Sequence, residues 1–475
     1  MSLPRSGLAV TLALVSATAV VGQDVPPAFA NSIDATPAGW MGPVFQLSKD
    51  FPPTLPANDQ KPWKSYDFKT QPEKYVRAIL AYCREGNETS DWAGQNNTVR
   101  KWYHAPGLVK GNNGREFIRG LTRERTSPPM DLAPTQTKAW SNFAVGLYNP
   151  TAAYTVGRVW QNPIAPNPEG VLFADGAVGF KLLFTTAPVE QVPFLANSLE
   201  WLANVNLPGT NARSPQKVRL LQVDVAVRDS RADGTTGWVF GTFMYQNDAP
   251  GQSPIDRLVP VGLMWGNDPD LTPAKFAAGE RAKESWINPA SKSPHTGWLD
   301  RLNGPVDNPI SSCLSCHGRA GSPQTNDLVF PTGATDDQKM AFFTNVKAAD
   351  PYTSGVKSFD YSLQLGIGVR NFPATTTPPE GKKDSTQNPP VPPGFDPRGG
   401  EVDPHHPTDA SGPDPERMGP AMPAENRTPV PASDRSIWWI VGATVLVVVL
   451  LALIVIRMKR PPVKPAPPPP ASTAL

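Results

Sequence analysis

Runs of apolar residues with the two-residue period of a β-strand dominate the middle of the chain. Four such runs cover residues 178–184, 218–227, 238–245 and 258–265. A turn is expected at Asp233 and Gly234, between the second and third runs. Several short strands separated by turn signals predict an antiparallel sheet or sandwich and not alternating βαβ units.

A few other segments show helical periodicity. Residues 73–84 follow Pro72 and place five side chains on one face: Tyr75, Val76, Ile79, Leu80 and Cys83. Two further helices are expected, at 336–349, which begins with acidic residues, and at 360–371. Together the patterns predict an α+β fold that is mainly antiparallel β-structure with a few helices.

The N-terminal residues predict secretion. Arg5 precedes an apolar run, and the sequence Ala28-Phe29-Ala30 has the small-residue spacing of a cleavage site. Residues 1–30 are therefore expected to be a signal peptide, with a mature chain that starts near Asn31. An uncleaved N-terminal anchor is the alternative.

The C-terminal part predicts a membrane anchor. Residues 437–456 form an unbroken apolar run that is long enough for one transmembrane helix. The basic residues that follow mark residues 457–475 as a cytoplasmic tail, and residues 372–435 have the composition of a Pro-rich disordered stalk. The bulk of the chain is thus expected on the periplasmic side of the cell inner membrane, held by this single helix.

Composition narrows the function classes. A net charge of +2, with 18% charged residues, gives no basic footprint for nucleic acid. The high proline content, 57 of 475 residues, favours irregular loops and extended segments. The globular part is divided into an irregular or helical N-terminal region, 31–165, and a β-rich domain, 166–371.

One pentapeptide, Cys313-Leu314-Ser315-Cys316-His317, carries candidate chemistry. Its C-x-x-C-H spacing is typical of covalent haem c attachment, in which two thiols add to the porphyrin vinyl groups and the adjacent imidazole binds the iron. Redox dithiols and half zinc sites share C-x-x-C, but zinc needs further ligands and the remaining cysteine, Cys83, is distant in sequence. Cys83 is expected to be a buried, inert thiol. A chance pair of buried cysteines beside a histidine is the non-functional alternative.

The sixth iron ligand stays open in the sequence. A distal Met or His would favour electron transfer, whereas an empty distal side would admit a small ligand. The candidates are Met264, Met340, Met244, Met130, His295 and His104. Each methionine is more often core filler, and each histidine more often an ordinary hydrogen-bonded residue.

Arginines between residues 99 and 125 lie beside aromatic residues. Such a cluster can pair with haem propionates or with an acidic partner. A solvated basic face is the interpretation that we favour from the sequence.

Short motifs resemble one known family. The series Phe173-Ala174-Asp175-Gly176, a strand with Lys181, Val225 to Asp229, Thr236-Gly237-Trp238 and finally Cys313 to His317 is similar to the β-rich cytochrome c-prime-beta family. That family includes hydroxylamine-oxidising cytochromes with a lysine cross-linked to haem. The resemblance implies a haem held by β-sheet with an iron face open to nitrogen oxides. This chain is longer on both sides, with a long insertion at 247–310, and the cross-link is not carried over to Lys181.

The sequence therefore predicts a membrane-anchored monohaem cytochrome that carries electrons to an unidentified redox partner protein. One alternative is a five-coordinate haem protein that binds or oxidises a small nitrogen compound such as nitric oxide or hydroxylamine. Another is a partner-binding ectodomain with haem as a structural cofactor. No phosphate loop and no paired carboxylates are evident in the sequence.

Overall fold

The computed structural model describes residues 27–57, 60–292, 296–323 and 328–372. All of these residues belong to one compact unit. Antiparallel strands form a large sheet, and short helices pack against it. This architecture confirms the α+β class with a mainly antiparallel sheet.

The main sheet has eight strands. They are β1 (Thr122–Arg123), β2 (Asn142–Tyr148), β3 (Val178–Thr185), β4 (Glu200–Val205), β5 (Ser214–Arg228), β6 (Trp238–Tyr245), β7 (Leu258–Met264) and β8 (Ser285–Ile287). The order is β1-β2-β3-β5-β6-β7-β8, and β4 pairs with the first part of β5. All neighbours are antiparallel. The four strands expected from alternation are confirmed as β3, β5, β6 and β7.

The helices are short. They are α1 (Pro72–Arg84), α2 (Pro150–Val159), α3 (Pro273–Ala277), α4 (Cys313–His317), α5 (Asp336–Met340) and α6 (Leu363–Asn371), and a two-stranded ribbon joins β9 (Gly321–Ser322) to β10 (Lys357–Ser358). The predicted helix at 73–84 is confirmed, and its predicted apolar face is buried. The predicted helix at 336–349 is wrong in length. It ends as a 3-10 turn at Ala341–Phe343. Beyond this turn the Asn345 side chain accepts from the Asn267 backbone N–H and donates to the Glu284 carboxylate, so the chain leaves the helical path before residue 345.

The sheet separates two apolar clusters. On one face, α1 packs over the central strands, and Gly241 permits the contact because a Cβ there would lie 2.5 Å from Val76 Cγ2. On the other face, Trp238 and Phe240 of β6 pack with Cys313 and Leu314 of α4. Successive residues of β6 thus point to opposite clusters, as the two-residue period requires.

The N-terminal region contributes to the same sheet. Strands β1 and β2 lie before residue 166, and β2 pairs with β3 along its whole length. Ala28 and Phe29 are buried, and the Phe29 ring lies edge-on to Trp160. Cleavage between Ala30 and Asn31 would remove this packed phenylalanine, whose burial contributes roughly 1.5–3 kcal/mol. Cleavage at this position stays a prediction.

The arginines between residues 99 and 125 do not form a solvated face, so that prediction is wrong. Arg115 is buried and donates to the Ala105 carbonyl, and its guanidinium lies over the Phe45 ring. Arg125 and Asp131 form an ion pair in which both side chains are 12% exposed. These arginines tie loops to one another.

No helix within the described ranges is long and apolar enough to cross a membrane. The predicted stalk at 372–435, apart from Phe372, the predicted span at 437–456 and the predicted tail at 457–475 lie outside the described residues.

Candidate functional site

The C-x-x-C-H residues form one short helix, α4, whose start is fixed by a capping box. The Ser312 hydroxyl accepts from the Ser315 backbone N–H at 3.0 Å, and the Ser315 hydroxyl accepts from the Ser312 N–H at 2.8 Å. Ser312 also donates to the Asn267 side chain, which follows β7. Leu314 is fully buried. The two residues between the cysteines thus anchor the helix, one by capping and one by packing.

His317 is held by one hydrogen bond and one ring contact. Its Nδ1 lies 2.9 Å from the backbone carbonyl of Tyr361, and its ring centroid lies 4.8 Å from that of Phe240. A carbonyl only accepts, so Nδ1 carries the proton and Nε2 keeps its lone pair. Burial, together with the charge of Lys181, lowers the pKa of His317 to about 4. The neutral imidazole that results is the form that binds a metal.

Both cysteines and His317 line a cavity between α4, the sheet and the start of α6. The cavity contains about 1080 Å³ of space free of atoms, a figure that includes its open mouth. Aromatic rings form part of its wall, from Tyr148, Phe173, Trp238 and Phe240.

A row of small and polar residues crosses the sheet beneath the cavity. Gly146, Lys181, Asp224, Thr242 and Gly262 face one another on β2, β3, β5, β6 and β7. Directly opposite residues of antiparallel strands point to the same side of the sheet. The row therefore presents one amine and one carboxyl to the cavity.

Charged groups surround the Lys181 amine. Its Nζ lies 3.7 Å from Asp224 Oδ2 and 3.8 Å from Glu124 Oε1. Asp224 also accepts from Thr242 at 2.8 Å and from Gln222 at 2.7 Å. Asp307, which lines the same cavity, accepts from the Gly304 N–H at 3.0 Å.

These groups shift one another's proton affinity. Burial and the negative charge of Asp307 raise the pKa of Asp224 to about 7, although the Lys181 amine opposes the rise. Burial also raises the pKa of Glu124. Burial alone would lower the pKa of Lys181, but the carboxylates of Glu124, Asp224 and Asp307 outweigh it and raise that pKa. The amine therefore stays charged, while Asp224 exchanges a proton near neutral pH.

The predicted distal ligands lie elsewhere. Met264 is fully buried in β7, and Met340 ends α5. His104 is buried, with Nδ1 at 2.9 Å from the Gly146 carbonyl and its ring against Phe45. Among the described residues that line the cavity, none is Met264, Met340 or His104. His295 lies outside the described residues.

The remaining methionine candidates are also placed apart from the cavity wall. Met244 is buried in β6 and Met130 is exposed. The structure therefore brings together Cys313, Cys316 and His317 at one cavity. It also places Lys181 and Asp224 beside them, which the sequence did not predict.

Cys83 is separated from the pentapeptide. It is buried on α1 in the cluster of the opposite sheet face, which confirms the prediction of a buried thiol. Burial raises the pKa of this thiol, so it resists ionisation. Among the described residues, no group of three or more His, Cys, Asp or Glu is arranged to hold a metal ion. The zinc alternative therefore gains no further ligands in this part of the chain.

The residues present fit a haem c. A porphyrin supplies four nitrogens to iron, so one protein imidazole with a free Nε2 suffices on this side. His317 offers that nitrogen, and its Nδ1–H bond to a backbone carbonyl is the usual partner of a metal-binding histidine. Thiols of the same helical turn and aromatic rings line the space beside it.

Several residues of this site were missed by sequence reasoning. The Tyr361 carbonyl gives no sequence signal, since any residue carries one. Lys181 and Asp224 do give a signal, because each interrupts an apolar strand at an alternating position.

Sequence comparison finds neither a protein-family model nor a curated protein that matches this chain.

Proposed function

We propose that this protein is a membrane-anchored monohaem c-type cytochrome that transfers electrons on the extracytoplasmic side. The observation that carries the proposal is the hydrogen bond from His317 Nδ1 to the Tyr361 carbonyl, inside a cavity that Cys313 and Cys316 also line. A haem bound there would supply a one-electron iron couple. The cytochrome c-prime-beta resemblance supports the same cofactor.

The chain's own residues have distinct tasks in this proposal. Cys313 and Cys316 would hold the porphyrin covalently, and His317 would bind the iron through Nε2. The fixed Nδ1–H bond orients the imidazole and increases its basicity. Phe240 packs against the His317 ring, and with a haem in the cavity this contact would shield the imidazole from water and limit the rearrangement that accompanies a change of iron charge.

The membrane arrangement belongs to the same proposal. Residues 437–456 would anchor the chain in the inner membrane, and residues 372–435 would act as a tether. A flexible tether keeps the cavity-bearing domain at a high effective concentration near a redox partner protein in the same membrane. Deletion of residues 437–475 should move the protein from the membrane fraction to the periplasmic fraction, and retention in the membrane would contradict this anchor.

Covalent attachment provides the direct test. The protein is expressed with a haem-ligation system and extracted with acid and acetone. We expect the pigment to stay with the polypeptide, and the double variant C313A/C316A to lose it. The matched control is C83A, which changes a buried cysteine on the other sheet face and should keep the pigment. Extraction of the pigment from the unaltered protein, or thiol labelling of Cys313 and Cys316 after maturation, would refute the proposal.

A second function is favoured by the polar row at the cavity. Lys181, Asp224 and Thr242 line the cavity and could hydrogen-bond a small polar ligand bound there, such as nitric oxide or hydroxylamine. Spectra of the ferrous protein with and without nitric oxide or carbon monoxide decide between the two. Low-spin spectra that do not respond favour electron carriage, and a high-spin iron that binds these gases favours the ligand-binding function.

A further inference from the structure

The peptide that accepts the His317 hydrogen bond is itself held in an unusual way. Asp360 and Tyr361, the two residues before the N-cap Ser362 of α6, have φ angles of 46° and 68°. Residues other than glycine rarely adopt this left-handed region, and they keep it where surrounding contacts fix it. The position of the Tyr361 carbonyl thus depends on what holds Asp360.

The Asp360 carboxylate provides that hold. It is fully buried. Oδ1 accepts from the Trp238 indole N–H at 2.9 Å and from the Ala349 N–H at 3.0 Å, and Oδ2 accepts from the Phe173 N–H at 2.7 Å. Three donors from separate parts of the chain therefore converge on one side chain.

These contacts connect the carboxylate to the histidine by two routes. Along the backbone, Asp360 precedes the residue whose carbonyl accepts from His317. Across the cavity wall, Trp238 lies 6.2 Å from Phe240 between ring centroids, and Phe240 lies 4.8 Å from His317. A displacement of Asp360 would move both the hydrogen-bond acceptor and the ring that contacts the imidazole.

We propose that Asp360 is a positioning residue that fixes the Tyr361 carbonyl against His317 Nδ1 and thereby sets the reduction potential of the iron. The inference rests on the proposed function, because it requires iron on His317 Nε2. A strong Nδ1–H bond makes the imidazole a better donor and stabilises ferric iron. The buried negative charge acts in the same direction.

The variant D360N tests the contribution of the Asp360 carboxylate, because it removes the negative charge and leaves the rest of the side chain in place. Asparagine has nearly the same shape and adopts the left-handed region as readily as aspartate, but its amide nitrogen cannot accept from the donors that it faces. We expect covalent haem to be retained. The ferrous form should be favoured at least tenfold more than in the unaltered protein, which is a rise of about 59 mV for a one-electron couple. In five-coordinate ferrous protein, generated by photolysis of its carbon monoxide complex, the iron–histidine stretching band in the resonance Raman spectrum should shift to lower frequency.

The matched control is D229N. Asp229 is also fully buried and accepts from the Tyr75 hydroxyl and from Arg231, but it lies beside α1, on the other sheet face. This variant should lose stability without a change of potential or Raman band. A purely structural role of Asp360 would make the two variants alike.

A second variant covers the case in which D360N does not mature. W238F removes one donor to Asp360 and keeps an aromatic ring, so a smaller shift of potential and band in the same direction is expected. An unchanged potential and band in haem-loaded D360N, or in W238F where D360N does not mature, overturns the inference and leaves the proposed function intact. Absence of covalent haem from the unaltered protein removes both.

Discussion

Lys181 and Asp224 face each other across β3 and β5, with Nζ and Oδ2 separated by 3.7 Å at the wall of the cavity that His317 also lines. Glu124 and Asp307 lie close enough to shift the proton affinity of the pair. A charge that changes on a cavity-bound iron would therefore be felt by Asp224, whose pKa is raised to about 7.

The reduction potential of the haem-loaded protein should fall as pH rises through about 7. Burial and Asp307 raise the pKa of Asp224 to about 7, and an electron added to the iron disfavours the nearby carboxylate and raises this pKa further. The ferrous form then binds more protons than the ferric form, so the potential decreases with pH, by up to about 59 mV per pH unit. Redox titration between pH 5 and 9 measures the slope, and a flat profile would contradict the coupling.

Replacement of Lys181 by glutamine should move that pH window upward. The amine opposes the rise of the Asp224 pKa, so its loss raises this pKa, by roughly one unit or more. K217Q is the matched control, since Lys217 is a largely exposed lysine of β5 that pairs with Glu200. An identical window in K181Q and the unaltered protein would show that the amine does not act on Asp224.

The variant S312A should weaken α4. Loss of a capping hydroxyl costs about 1 kcal/mol, and here the cap also bonds Asn267. The T335A variant removes the same kind of capping box from α5, which starts outside the cavity wall. Urea unfolding should show a loss for both, larger in S312A because the bond to Asn267 is lost as well, while the yield of covalent haem should fall in S312A alone. Equal yields would show that the helix start does not affect attachment.

The variant G241A should destabilise the fold through α1. A Cβ at this position would lie 2.5 Å from Val76 Cγ2, and overpacking of this kind costs roughly 1–3 kcal/mol. The control is G234A, where a Cβ meets nothing within 4 Å and φ is not positive. Thermal denaturation measures both, and a G241A protein as stable as G234A would contradict the close approach of α1 to the sheet.

Local patterns predicted elements where one face of an element is apolar. The helix α1 and the strands β3, β5, β6 and β7 have this pattern, and the structure confirms them. The strands β1 and β8 are too short for alternation to be visible. The helix expected up to residue 349 stops early because Asn345 makes contacts with distant residues, which no local pattern reports.

The site was predictable only where its residues are adjacent in sequence. The spacing of Cys313, Cys316 and His317 is enough by itself to predict covalent haem attachment. The partners of that motif are supplied by strand register and by loops, as with Asp224 opposite Lys181 and the carbonyl of Tyr361. The prediction of a solvated basic face around Arg115 is wrong for a related reason. The Phe45 ring and the Ala105 carbonyl, which come from other parts of the chain, bury the Arg115 guanidinium.

The acceptor of the His317 hydrogen bond lies 44 residues further along the chain. During synthesis, the cysteines and the histidine thus emerge well before the peptide that selects the imidazole tautomer. Early in the life of each molecule both ring nitrogens compete for a proton, and arrival of the Tyr361 segment ends that competition.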